Sequence, residues 1–152
     1  MNRIWYAVPG VVLLALMALA WLQPRQEARS PADPGNHEQV TLGRMLYATH
    51  CGFCHGDRQQ GQPDWQTRNA AGRLPAPPHD ATGHTWHHPD EILFGITKNG
   101  IAAFAGPGYQ SDMPAFARTL SDAEIWAVLA YIKSTWPPDI RAKQDEITRL
   151  SR

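Results

Sequence analysis

Residues 51 to 55 read Cys51-Gly52-Phe53-Cys54-His55, and this run holds both cysteines of the 152-residue chain. Two thiols three positions apart, followed at once by an imidazole, put two nucleophilic sulfurs and a metal-binding nitrogen on one short turn. That set matches covalent haem attachment, with two thioether links and an iron ligand from adjacent residues. Other uses of the pair fit less well. A disulfide between Cys51 and Cys54 would close too small a loop to contribute much stability, and a zinc site needs further soft ligands. A thioredoxin-like redox pair belongs beside a βαβ pattern, which this sequence lacks. One such motif implies one covalent haem c.

The flanking residues carry a family resemblance. Gly43, Tyr47 and Cys51 follow one another at four-residue steps into Cys51–Gly56, which spells CGFCHG. Downstream come Ser111-Asp112-Met113-Pro114 and then Ser121 to Trp136, with Val128 and Tyr131 three apart. These segments resemble the N-terminal helix and attachment loop, the distal loop and the C-terminal helix of class I c-type cytochromes, over about residues 40 to 136. The resemblance implies an all-α cytochrome c fold of about three to five helices around one haem. It also implies that Cys51 and Cys54 form the thioethers, with His55 and Met113 as axial iron ligands. In the family a proline carbonyl accepts from the ligating imidazole; Pro75, Pro77 and Pro78 are all candidates. Met45, inside a helical pattern, reads as core packing, whereas Met113 stands before Pro114 in a polar loop where packing alone would not explain it.

Length allows one core with added segments. From Ile4 to Leu22 run 19 residues without a charge, flanked by Trp5, Tyr6 and Trp21. At about 1.5 Å per residue they cross a hydrocarbon core of about 30 Å, and aromatic rings at both ends suit the headgroup level. Ala18-Leu19-Ala20 also fits a signal-peptidase site. The long apolar run and its aromatic flanks favour a retained transmembrane anchor over residues 1–22. Arg3 gives only a weak inward bias. The family attaches haem outside the bacterial cytoplasmic membrane, so the resemblance places residues 23–152 in the periplasm. Residues 23–39, with Pro24, Pro31, Pro34, Gly35 and five charges, read as a linker.

Within residues 40–136, Val40 to Tyr47 has helical spacing, with Leu42, Met45 and Leu46 expected on one side. Gly43 is costly in an isolated helix and so is expected to admit a second helix closely. Ser121-Asp122-Ala123-Glu124 is a capping box that opens an apolar stripe of Ile125, Val128, Leu129 and Ile132, ended by Pro137. Gly43 and Tyr47 are expected to pack on Val128 and Tyr131. A shorter helix opens at Pro89-Asp90-Glu91 and closes at Gly100, with Ile92, Leu93 and Ile96 expected to wall the haem pocket. Residues 56 to 88 form a long loop region containing Trp65 and Trp86. Residues 137–152 read as a charged helical tail whose thin apolar edge, Ile140, Ile147 and Leu150, docks on the domain.

Residues 40–136 hold seven basic and eight acidic side chains with no run of either sign, which excludes a nucleic-acid partner. His79, His84, His87 and His88 crowd into ten residues, a tract that can bind copper or zinc, although loop histidines beside a haem more often meet propionates or cap helices. His50 reads as surface. With His55 and Met113 both on the iron no position is open to substrate, so the chain is expected to be an electron carrier between redox proteins and not an enzyme. Two other roles compete: a haem subunit fixed within a larger membrane oxidase or dehydrogenase, and a copper-handling redox protein.

Overall fold

The computed structural model describes residues 30–152. The anchor expected over residues 1–22 lies outside them, and no described helix is long and apolar enough to cross a membrane. The described chain is all-α: α1 (His37–His50), α2 (Gly52–His55), α3 (Asp90–Asn99), α4 (Ala102–Ala105), α5 (Asp122–Ser134) and α6 (Pro138–Leu150), with a 3-10 turn at Thr85–His87 before α3.

α1 begins at His37, inside the stretch read as linker, because the Asn36 side chain caps it by accepting from the Gln39 amide at 3.1 Å. The residues just ahead of it are part of the fold. Ala32 is wholly buried, the Asp33 amide donates to Gln39 Oε1 at 3.0 Å, and Gln39 Nε2 donates to the Pro31 carbonyl at 2.7 Å. Residues 30–39 of the stretch read as linker therefore belong to the fold; the rest of it lies outside the described residues.

The α1 face that packs is the one carrying Gly43 and Tyr47, while Leu42 and Met45 stay exposed at 38% and 57%. Of the three apolar side chains expected on one side, Leu46 packs half-buried against the core and Leu42 and Met45 do not. The crossing with α5 overrides them: a Cβ on Gly43 would stand 1.9 Å from the Ala127 carbonyl oxygen and 2.9 Å from Tyr131 Cβ, so backbone meets backbone there and fixes which face turns inward. The Tyr47 and Tyr131 rings meet edge to face at 5.4 Å.

α5 is the central element. Its capping box is formed, with Ser121 Oγ accepting from the Glu124 amide and the Ser121 amide donating to Glu124 Oε2 at 2.8 Å. Ile125, Val128, Leu129 and Ile132 are buried as their stripe requires, each contributing roughly 1.5–3 kcal/mol. α3 opens at Asp90 and ends where Gly100 takes φ 84°, a left-handed turn suited to glycine. Of its expected pocket wall, Leu93 lies in the core and Ile92 stays 36% exposed.

α6 docks on the domain as expected, by a face that is largely polar. Gln144 and Thr148 are its buried residues; of the expected apolar edge Ile140 packs half-buried against the core, while Leu150 is 70% exposed. The reason lies beneath them: Lys133 and Asp90, 1% and 0% exposed, form an ion pair with Nζ 3.0 Å from both carboxylate oxygens. Gln144 Nε2 donates to Asp90 at 2.6 Å and to Thr148 Oγ1 at 3.0 Å, Thr148 Oγ1 accepts from the Asp90 amide, and Ser30 Oγ donates to Asp90. A buried charge pair must have its remaining lone pairs and protons satisfied, and α6 supplies the groups that do so.

Candidate functional site

α2 is a single turn. The Cys51 amide donates to the Tyr47 carbonyl at 2.8 Å, His55 N donates to the Cys51 carbonyl at 2.9 Å, and Gly56 N to Gly52 at 2.8 Å. Cys51, Cys54 and His55 therefore share one turn, and both thiols are free of a disulfide. Cys51 is buried and Cys54 half-buried. Burial, with Cys54 beside it, pushes the Cys51 thiol up to about 11.

The His55 ring is held from one side. Its Nδ1 lies 2.8 Å from the Pro77 carbonyl oxygen, to which it can only donate, so Nε2 is left as the lone-pair nitrogen. Of the three candidate prolines, Pro77 is the one in place. Two glycines hold the segment there: a Cβ on Gly61 would meet the Pro78 nitrogen at 2.5 Å, and one on Gly83 would meet the Pro78 carbonyl oxygen at 2.1 Å. Burial lowers the His55 pKa, opposed by the Pro77 bond, which favours the uncharged ring that can coordinate.

His79 lies flat on His55, with ring centroids 3.8 Å apart and planes 19° from parallel, and it meets Tyr47 edge-on at 5.9 Å. Its backbone is anchored at both ends. The His79 amide donates to the Gln59 carbonyl at 2.8 Å, and its own carbonyl accepts from Trp136 Nε1 at 2.7 Å. Gln59 is buried, takes φ 64° and accepts from Thr135 Oγ1 at 3.0 Å. Burial first, then the neighbouring His55 and His84, hold His79 well below the usual imidazole range.

Met113 is half-buried against the same core cluster that includes Cys51 and Leu93. Its loop is fastened at several points. The Met113 amide donates to Ser111 Oγ at 3.1 Å, Asp112 pairs with Arg73 at 3.0 Å, and the Phe116 and Ala117 amides donate to the Thr97 and Lys98 carbonyls at the end of α3. Met45, by contrast, projects from α1.

The histidine tract is dispersed. His79 stacks on His55, His84 on Trp65 with centroids 5.3 Å apart, and His87 on Trp86 at 3.6 Å, while His88 meets His84 edge-on. Among the described residues no three His, Cys, Asp or Glu gather as a metal cluster. His50 is half-buried, edge-on to Phe116, and so is not a bare surface residue. Sequence reasoning missed Gln59 and the stacking of His79. Position offered the one available signal: His79 follows the candidate prolines directly, and whatever places a carbonyl on His55 brings the next residues beside it.

The sequence model of the cytochrome c family matches residues 40–136. The chain belongs to the cytochrome c family. No match was found among curated proteins or among solved structures. As a c-type cytochrome the chain carries covalently attached haem c and is an electron-transfer protein. The residues present fit that group: two thiols on one turn, and a neutral imidazole whose second nitrogen is committed to a carbonyl.

Proposed function

We propose that this cytochrome is a class I monohaem carrier, anchored in the bacterial cytoplasmic membrane by residues 1–22 with its haem domain in the periplasm. It passes single electrons between redox proteins of a respiratory chain. Cys51 and Cys54 hold the haem, and His55 and Met113 are the iron's axial ligands. The observation that carries the reading is the 2.8 Å contact of His55 Nδ1 with the Pro77 carbonyl, because it fixes the tautomer that presents Nε2 to a metal. The bound haem supplies a reversible one-electron Fe(III)/Fe(II) couple.

The chain's own residues do the rest. Pro77 orients His55, the core excludes water from Cys51, and the fastened Ser111–Pro114 loop offers a soft sulfur that favours the reduced metal. His79 is stacked on the His55 ring and would support that ligand, and Met113 would supply the second ligand. Exchange partners would dock transiently over a small area.

Replacing Met113 by Ala tests this. The weak thioether-to-iron absorption at the red edge of the ferric spectrum should vanish, the reduction potential should fall, and carbon monoxide should bind the reduced protein. A variant with unchanged spectrum and potential would transfer the distal role to His84, His87 or His88. Membrane fractionation with N-terminal sequencing tests the anchor, and a mature chain beginning at Trp21 would make the protein a soluble carrier.

A further inference from the structure

The Pro77 carbonyl fixes which nitrogen of His55 faces outward, but one hydrogen bond in the ring plane leaves the ring free to swing about the axis it defines. The face of the ring is constrained by something else. His79 lies against it at 3.8 Å and 19°, close to parallel. His79 is not a mobile neighbour. Its amide is held by Gln59 and its carbonyl by Trp136, just beyond α5, and its ring meets Tyr47 of α1 edge-on, so both its backbone and its ring are anchored.

The choice of residue is also informative. His79 Nδ1 is buried with no hydrogen-bond partner among the described residues, and the ring presents to His55 the flat face that the stack uses. Building on the reading of His55 as iron ligand, we propose that His79 is a positioning residue that sets the rotational angle of the His55 imidazole plane by stacking on it. The angle of a planar axial ligand decides how the iron's π-type orbitals align with the macrocycle, and therefore how unpaired spin is shared among the haem substituents. Outer groups of this kind orient metal ligands and tune the metal.

The test uses full-length holoprotein labelled with ¹⁵N-histidine, in the ferric state, read by paramagnetic NMR. The unsubstituted protein should show one strongly hyperfine-shifted imidazole; if none is shifted, the reading of His55 as ligand fails, whatever His79 does. With that signal present, His79→Leu should change the order of the haem methyl resonances while haem stays attached and the Met113 absorption remains. His79→Phe keeps a flat face in the same slot and should restore the original order. An unchanged order in His79→Leu overturns the proposal. Should the leucine variant not fold, His79→Phe decides alone: the original order supports stacking, and a changed one overturns it.

Discussion

Lys133 gives the sharpest stability prediction. Its Nζ lies 3.0 Å from both Asp90 oxygens and 3.2 Å from Asp145 Oδ1, with Lys133 and Asp90 essentially shut off from water and Asp145 59% exposed. At an effective dielectric of about 20, a unit pair at that distance attracts by about 5 kcal/mol. Desolvating each ion costs several kcal/mol, so the assembled pair is close to neutral against an apolar pair of the same shape. Removing one partner is different. Lys133→Met leaves the Asp90 carboxylate buried with Ser30, Gln144 and its own helix N-terminus as partners, and no cation; the loss should be about 3–5 kcal/mol. Adding Asp90→Asn removes the stranded charge and should recover much of that loss. Urea unfolding of the four holoproteins, followed by circular dichroism, supplies the double-mutant cycle. A Lys133→Met cost below about 1 kcal/mol, or a double variant as damaged as the sum of the singles, would refute the reasoning.

Gly43→Ala gains roughly 0.5–1 kcal/mol of helix propensity but drives a methyl to within 1.9 Å of the Ala127 carbonyl oxygen, so net destabilisation of at least about 1 kcal/mol is expected in the same assay. Met45→Ala, two residues along and 57% exposed, should change stability by no more than about 0.5 kcal/mol; a neutral Gly43→Ala would contradict the close crossing. Ser121→Ala should cost about 1 kcal/mol through loss of the α5 cap. Glu124 belongs to that box, and the Ser121 amide and hydroxyl lower its pKa below the usual 4.5. Its contribution is therefore full above pH 4.5 and lost as pH falls through the folded-state value. A Glu124→Gln variant should lose that segment of the acid dependence of thermal melting.

Local chemistry made much of this fold legible. The haem motif, the capping box and the Gly100 stop are each written in neighbouring residues, and the approach of Tyr131 to Gly43 is what the family resemblance implies. Legibility failed where the outcome depended on distant chain. Leu42 and Met45 look like a buried face by periodicity, yet a glycine beside them sets a closer contact than any apolar pair could. Pro77 could not be told from Pro75 and Pro78, because the choice rests on Gly61 and Gly83 gripping the segment from both sides. Lys133 and Asp90 lie 43 residues apart, and nothing local marks charges that will be buried together. The α6 face was nearer to reach: Gln144 and Thr148 stand one turn apart, and their polarity hid the fact that buried polar groups recruit polar partners.

The same ion pair relates the two halves of the redox centre. α5 carries Lys133, and immediately after it Thr135 and Trp136 hold Gln59 and His79, the supports on the His55 side. α3 opens with Asp90, and its last turn holds the Phe116 and Ala117 amides that follow Met113. Lys133 with Asp90 therefore joins the helix that supports one proposed ligand to the helix that supports the other. Packed interiors transmit strain because they have little slack. An electron carrier gains from this, since ligands that hardly move between oxidation states leave little structure to reorganise at each transfer. Weakening the pair should accordingly be felt at the sulfur: in Lys133→Met the Met113 absorption should be lost at a lower urea concentration than the helical signal. Coincident loss of the two signals would mean that the pair stabilises the domain as a whole without tuning the Met113 loop.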